Sequence, residues 1–557
     1  MKKKKIKSHK LIGLSAVILL LGTGIYYLVN CMHSDSNLLE LNDTTEISEI
    51  ETGIDTEWLE EQAVTEEEIA EKSAGHTIDD PYVKLNPYGT SPLAALVIFN
   101  TEEASQTTIT VKGKTEDADI TQTYDEYKTA HEIPVLGLYA DYENTIEIMV
   151  TTESGKKATK TVTIQTDKLP ESIGTISVEE TLEDEVAVTN NELTFAVPST
   201  KYAIGFDKNG DIRWYSTRYN SHIFQELKNG NILYLSKESN DGDSYNRLLE
   251  MDYIGKLYQV YTMSENAAIS EQEGTSSTIV HHDAIELPSG NLLLTVNDGS
   301  QYIEDTMIEI DRKTGEIEKT IDLKNLFPEA VYSNYEPKEN GDIDWFHQNS
   351  IVYDESDNSI IISGRHQDTV MKIDYETSEI VWILASHEDW SEEYEQYLLT
   401  PQGSDFKWNA AQHADVILSD SDKDENTIDI LLYDNNKVIT RGDESESEQY
   451  SAASVYRIDQ SEMTVERIWT YGEERGKESY TSIVGSARYL EDSGHYLINF
   501  GHSDEGEISR IVETDENGDV TFEVVISDFP YGAWSYRAER YTLYPEQYEY
   551  KLSKSAE

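Results

Sequence analysis

From about residue 175 onward one small unit recurs along the chain. Its mark is a turn set before an apolar or aromatic strand: NGDIRW (209–214), GKLYQV (255–260), TGEIEKT (314–320), TSEIVWI (377–383), MTVERIW (463–469) and NGDVTFEVV (517–525). Each follows a strand-like run such as RLLEMD, TMIEID, VMKIDY or SVYRID, and between them lie the hairpins NGNILYL, SGNLLLTV, NSIIIS, TIDILLY and GHYLINF. Short apolar runs bounded by Gly, Asn and Asp turns read as strands, and recurrence at this scale marks a repeat architecture. Four strands per unit, about six times over, predict a six-bladed β-propeller across 171–557. A flat or two-sheet all-β fold is the alternative. The segment AWSYRAERYTLYP (533–545) reads as an inner strand with no complete blade after it, so it is expected to pair with the first blade.

Upstream of the repeat the character changes. Residues 79–170 hold the β-rich runs LAALVIFNT, QTTITVKGK, HEIPVLGLY, NTIEIMVTT and KATKTVTIQT, which predict a small antiparallel β-sandwich. Residues 30–78 are acidic and poor in aromatics, as expected of a spacer with one short helix near 56–72. Residues 1–10 form a basic tail with six lysines, and Leu11–Val29 is an uncharged, mostly apolar run long enough to cross a bilayer. Lysines on its N-terminal side keep that end cytoplasmic, so the reading is a single-pass transmembrane anchor in the cell membrane with the folded part on the extracytoplasmic side. A cleaved signal peptide or a lipid-modified Cys31 are the alternatives, although Asn30-Cys31 is not a small-residue cleavage site.

Cys31 is the only cysteine, which excludes a disulfide, a cysteine nucleophile and a thiolate metal site in the external part. The chain carries 107 Asp and Glu against 44 Lys and Arg, a net charge of −63. Such a surface repels nucleic acid and anionic lipid and makes any local cationic site conspicuous.

One such site is expected at the axis. His222, His282, His347 and His413 each open the first strand of a unit, and Arg488 and Arg537 open two more. The first strands of propeller blades line one channel, so these groups converge into a place suited to an anion. Side chains alternate along a strand, so one of His281 and His282, and one of Arg365 and His366, reaches the axis. Metal chemistry fits poorly, because there is no HExxH and the arginines would repel a cation. DKNGD (207–211) and DENGD (515–519) read as β-turns. There is no GxSxG elbow, Walker loop or dinucleotide fingerprint, so no cofactor is expected.

The motifs HHDAIELPSGN, DWFHQNSIVYD, SGRHQDTVMKID and QHA, with the YRAERYTLYP ending, resemble the bacterial arylsulfate sulfotransferases over about residues 80–550. The resemblance implies a six-bladed propeller after an N-terminal β-domain. It also implies transfer of a sulfuryl group from a phenolic sulfate donor to a phenol acceptor, without a nucleotide donor. By the same resemblance His413 of QHA is the nucleophile that is transiently sulfated. His282 binds the sulfuryl group and acts as acid–base partner, with His281 as the alternative of that pair, and His347 is the second such histidine. Arg365 holds the sulfate, and Asn349 is a polar group of the pocket. Arg488 and His222 are further substrate-binding candidates from the convergence of inner strands. The chemistry agrees: a neutral imidazole is a good nucleophile, an arginine fork holds two sulfuryl oxygens, and a second histidine can protonate the leaving phenolate. Aryl sulfate hydrolysis in the same pocket and a non-catalytic surface-binding propeller are the competing functions. The sandwich is placed either to mediate subunit contacts, as in a homodimer, or to space the propeller from the membrane.

Overall fold

The computed structural model describes residues 50–182, 186–264, 269–270, 277–404, 406–418 and 426–553. The basic tail, the apolar run and Cys31 lie outside the described residues. Among the described residues no helix is long and apolar enough to cross a membrane.

Among the described residues, six antiparallel meanders of four strands follow one another after residue 190. The first sheet starts at Asn220–Glu226, the second at Val280–Glu286, the third at Gln348–Asp354, the fourth at His413–Leu418 and the fifth at Ser486–Leu490. The sixth starts with the late strand Ser535–Thr542, which pairs with Glu192–Pro198 and so draws its other strands from the beginning of the repeat. That pairing is the one expected for the 533–545 segment. The six starting strands abut in succession, and Ser535–Thr542 in turn abuts Asn220–Glu226.

Sequence explains this order. Second strands such as Ile232–Ser236 and Leu292–Val296 are buried at every position, because both faces of each sheet are covered. They therefore read as continuous apolar runs and not as an alternation. Gly230 and Gly290, at φ 80° and 87°, make the tight turns before these strands, a conformation that glycine adopts without a Cβ clash. Separate apolar clusters fill successive interfaces, as with Leu235 and Leu294 between the first and second sheets and Leu293 and Ile362 between the second and third.

Outer edges are capped by short added strands. Thr52–Ile54 pairs with Leu257–Met263, and Thr175–Thr181 pairs with Val520–Ser527. Exposed edges invite unwanted pairing, so the acidic stretch before residue 78 is more than a spacer. Its helix Glu57–Ser73, close to the expected 56–72, buries Ile69 and Glu66. Glu66 pairs with Lys256 at 2.9 Å and accepts a hydrogen bond from Tyr88 at 2.7 Å.

The β-rich runs before residue 170 form one connected five-stranded sheet. The long strands Ala95–Val111 and Ile120–Val135 pair along both halves, with register shifts between Asn100 and Thr107; such irregularities bend a strand. One half is extended by Tyr82–Leu85 and the other by Glu143–Thr152 and Lys157–Gln165. Buried Arg213 of the sixth sheet ties this domain down, donating to Gly137 O at 2.7 Å and Tyr139 Oη at 2.8 Å while pairing with Asp207.

Candidate active site

At the starts of the inner strands the ladder breaks. Register shifts fall between Asn220 and Phe224, between Val280 and Ala284, between Gln348 and Ser350, and between His413 and Val416. His222, His282 and His347 take φ values of 57°, 26° and 54°, a region that side chains with a Cβ rarely occupy. An extra residue in a left-handed conformation re-aims the side chains at a strand end, and strain of this kind collects at functional sites. Here it turns histidines from neighbouring sheets into one cavity of about 300 Å³, lined by His222, His282, Glu304, His347, Arg365 and His413. Tyr245, Ile483, Val484 and Trp534 add an apolar and aromatic rim.

His413 is buried, and its Nδ1 lies 2.7 Å from Asn435 Oδ1 and 3.1 Å from Ala411 O. Asn435 spends its own amide hydrogens on Thr481 O at 3.0 Å and Val484 O at 2.9 Å, so its oxygen is the atom facing the ring. With only acceptors at Nδ1, the proton sits there and Nε2 keeps its lone pair. Burial, then the charges of Arg365 and His347, hold the His413 pKa well below the usual imidazole range. The ring is therefore neutral at physiological pH and presents the lone pair of Nε2 to the cavity. Replacing Asn435 by alanine removes the tautomer anchor and leaves Thr481 O and Val484 O without their donor; melting is expected to fall modestly while turnover falls on the order of 10²-fold, measured by initial rates, below the melting transition, beside a melting curve.

His347 is held differently. Its Nδ1 lies 2.8 Å from Asp344 Oδ2 and 2.5 Å from Glu304 Oε2. Burial disfavours the charged ring, yet Asp344 and then Glu304 outweigh it and push the pKa up to about 9. Arg365 sits in the turn Arg365–Gln367, whose backbone is docked on the His347 loop through Arg365 N to His347 O at 3.1 Å and His366 N to Phe346 O at 3.1 Å. Its guanidinium donates to Ser482 O at 3.1 Å and to His366 Nε2 at 2.7 Å, and its buried Nε has no partner. His282 lies parallel to His222 with ring centres 5.1 Å apart, and 4.9 Å from His347.

The structure thus brings together His413, His282, His347, Arg365 and His222. Of the paired candidates, His282 and Arg365 line the cavity while His281 and His366 lie behind them: His281 Nδ1 contacts His282 Nδ1 at 2.9 Å, and His366 Nδ1 donates to Asp344 O at 2.7 Å. Asn349 is outside the cavity; its amide donates to Gln412 O at 2.7 Å and braces the third sheet against the His413 loop. Arg488 is also elsewhere. It lies in a second cavity of about 430 Å³ formed by the far ends of the inner strands, and is paired with Glu539 at 2.8 Å. Arg537, likewise expected to converge on the anion site, pairs there with Asp283 at 2.8 Å.

Two sets of side chains are close enough to share a cation: His282, Glu304 and His347, and Asp344, His347 and His366, each within 4.8 Å. Their charge is already met, since Lys338 Nζ lies 3.0 Å from Asp344 and Arg365 adjoins His366. A cavity with that balance suits an oxyanion better than a metal.

Residues 175–537 match the family Arylsulfotransferase (ASST), and residues 82–167 match the Arylsulfotransferase Ig-like domain. The chain belongs to the arylsulfotransferase family. It is a transferase enzyme. Arylsulfate sulfotransferase AssT of Escherichia coli O6:H1 is 24% identical over 80% of this chain and 90% of its own. AssT of Lelliottia amnigena is 25% identical over the same shares. Among solved structures, a putative 6-phosphogluconolactonase of Bacteroides fragilis aligns at 9% identity and a TM-score of 0.33, over 79% of this chain and 99% of that one.

Glu304, Asp344 and Asn435 are the residues in and around this cavity that sequence reasoning missed. Asp344 stood in plain view three residues before His347 in DWFH. Glu304 in YIEDT and Asn435 in YDNN lie in strand connections, where acids and asparagines ordinarily mark turns.

Proposed function

We propose that this enzyme moves a sulfuryl group from a phenolic sulfate ester to an acceptor phenol through a transient sulfohistidine at His413, by a ping-pong mechanism that uses no nucleotide donor. The observation that carries this reading is His413 itself, buried with its Nδ1 on Asn435 Oδ1, in a cavity that also holds a buried arginine and a histidine flanked by two carboxylates. His413 Nε2 attacks sulfur; the N–S bond forms as the bond from sulfur to the phenolic oxygen breaks, and the electron pair leaves with the phenolate. Arg365 and His347 balance the charge on the sulfuryl oxygens, and a neighbouring histidine protonates the phenolate. The acceptor phenol then loses its proton as its oxygen attacks sulfur, and the pair of the N–S bond returns to His413.

The same reading takes the six meanders as blades of a propeller, supported by their succession and by the pairing of Ser535–Thr542 with Glu192–Pro198. It places the enzyme outside the cell membrane on the Leu11–Val29 anchor, on the sequence grounds given above. The test mixes purified enzyme with a chromogenic aryl sulfate, with and without an added phenol. Phenol-dependent release of colour is expected; release independent of phenol would mean hydrolysis, and no release would leave a binding propeller.

The two half-reactions differ in charge. A protein at −63 repels the anionic donor but not a neutral phenol. Salt screens exposed charges while leaving the buried site much less affected. The donor kcat/KM is therefore expected to rise several-fold with ionic strength while the acceptor kcat/KM stays flat, as steady-state kinetics in a salt series would reveal.

A further inference from the structure

Two histidines, His282 and His347, stand where a proton could pass to the phenolic oxygen, and their surroundings differ in kind. Among the described residues His282 makes no ion pair; Glu304 lies within 4.8 Å of it, and its Nδ1 meets His281 Nδ1 at 2.9 Å. Burial, followed by the neighbouring His347, His281, His222 and His413, keeps its pKa well below the usual range. At neutral pH it has no spare proton to give.

His347 is built to hold one. Glu304 Oε2 and Asp344 Oδ2 both approach its Nδ1, at 2.5 and 2.8 Å. Asp344 is shared with Lys338 at 3.0 Å and with His366 at 3.3 Å. Glu304 is 1% exposed, and neither of its oxygens makes a hydrogen bond. A carboxylate buried this deeply is costly without a counter-charge, and the His347 ring supplies it. Carboxylates at Nδ1 leave Nε2–H for the cavity. Two cations also line the cavity, Arg365 from the Arg365–Gln367 turn and Lys338 paired with Asp344. A pKa of about 9 also sits close to that of a phenol, near ~10, the match that efficient proton exchange requires.

We propose that Glu304 is a positioning residue that, with Asp344, keeps His347 charged and oriented, so that His347 Nε2–H, and not His282, protonates the departing phenolate and afterwards takes the proton of the incoming phenol. The proposal rests on sulfuryl transfer as the reaction. In the donor step the Nε2–H bond of His347 breaks, the proton goes to the phenolate oxygen as that oxygen leaves sulfur, and His347 becomes neutral. In the acceptor step the neutral Nε2 takes the phenolic proton as the acceptor oxygen bonds to sulfur, restoring the starting state. His282 is left to bind the sulfuryl oxygens.

The test compares wild type with Glu304→Gln across a series of aryl sulfates whose phenols range from strongly to weakly acidic. Protonation matters most for the weakest leaving group. The variant is expected to lose about 100-fold with phenyl sulfate and little with a nitrophenyl sulfate, with Glu304→Asp in between. Its alkaline limb, near pH 9 in wild type, should move toward neutrality, because His347 then loses its proton sooner. His282→Asn should lower all donors alike. Equal loss across the series in Glu304→Gln, or leaving-group dependence confined to His282→Asn, would overturn the assignment. The charge state is read separately by NMR of labelled imidazoles. A His347 that is charged at neutral pH in wild type and neutral in Glu304→Gln supports the role of Glu304 even if no sulfuryl transfer is found. A neutral His347 in wild type, or one equivalent of tightly bound metal that Glu304→Gln loses, would sink it. Should Glu304→Gln fail to fold, Asp344→Asn takes its place in both measurements.

Discussion

His413→Ala should lower turnover by about 10⁴ to 10⁶-fold, the scale on which removal of a covalent nucleophile is felt. The argument runs from local structure. His413 opens its strand between Ala411 and Ala414, both at positive φ, and Asn435 fixes its Nδ1 at 2.7 Å. The anchors of two neighbouring rings differ: His347 Nδ1 faces two carboxylates and His282 Nδ1 faces another histidine. With the alanine enzyme, colour release from a chromogenic donor should be absent with or without phenol. Mass spectrometry of wild type mixed with donor alone should find one added SO₃ on the peptide that contains His413, and none in the variant. Covalent label on a different residue would move the nucleophile elsewhere.

Arg365→Lys is expected to be nearly as damaging, with kcat down by about 10² to 10³-fold and a raised KM for the donor. Charge is conserved, so the loss isolates geometry. The guanidinium already donates to Ser482 O and contacts His366 Nε2, and its planar fork can do this while presenting other N–H groups to a sulfuryl oxygen pair. An ammonium at the end of a flexible stem cannot satisfy both sides. Rates within a few-fold of wild type would show that Arg365 supplies charge alone.

Much of this was legible in the chain because it rests on local rules. Glycine turns before apolar runs marked the hairpins, and the lone inner-strand pattern at 533–545 foretold its pairing with the beginning of the repeat. Four histidines at the same point of four units gave away the cavity. What stayed hidden depends on register. The first strand of the fifth sheet pairs without a shift from Ser486 to Leu490, so Arg488 follows the regular pleat and lies with Glu539 in the opposite cavity. His222 and His282 instead sit inside breaks where their strands carry two extra residues, and His347 immediately precedes a break with one, insertions that no composition announces. Glu304, Asp344 and Asn435 arrive from connections, and only tertiary contacts bring them to the imidazoles.

The sixth sheet joins Ser535–Thr542 to strands more than three hundred residues earlier, and Trp534, just before that strand, lines the same cavity as His413. In that same strand Arg537 donates to Asn349 O and pairs with Asp283, clamping the third inner strand to the second. A chain emerging from the ribosome therefore carries all four histidines long before it has a pocket. On the proposed mechanism, sulfuryl transfer therefore waits for the last inner strand, and a polypeptide that ends before Ser535 is expected to be silent.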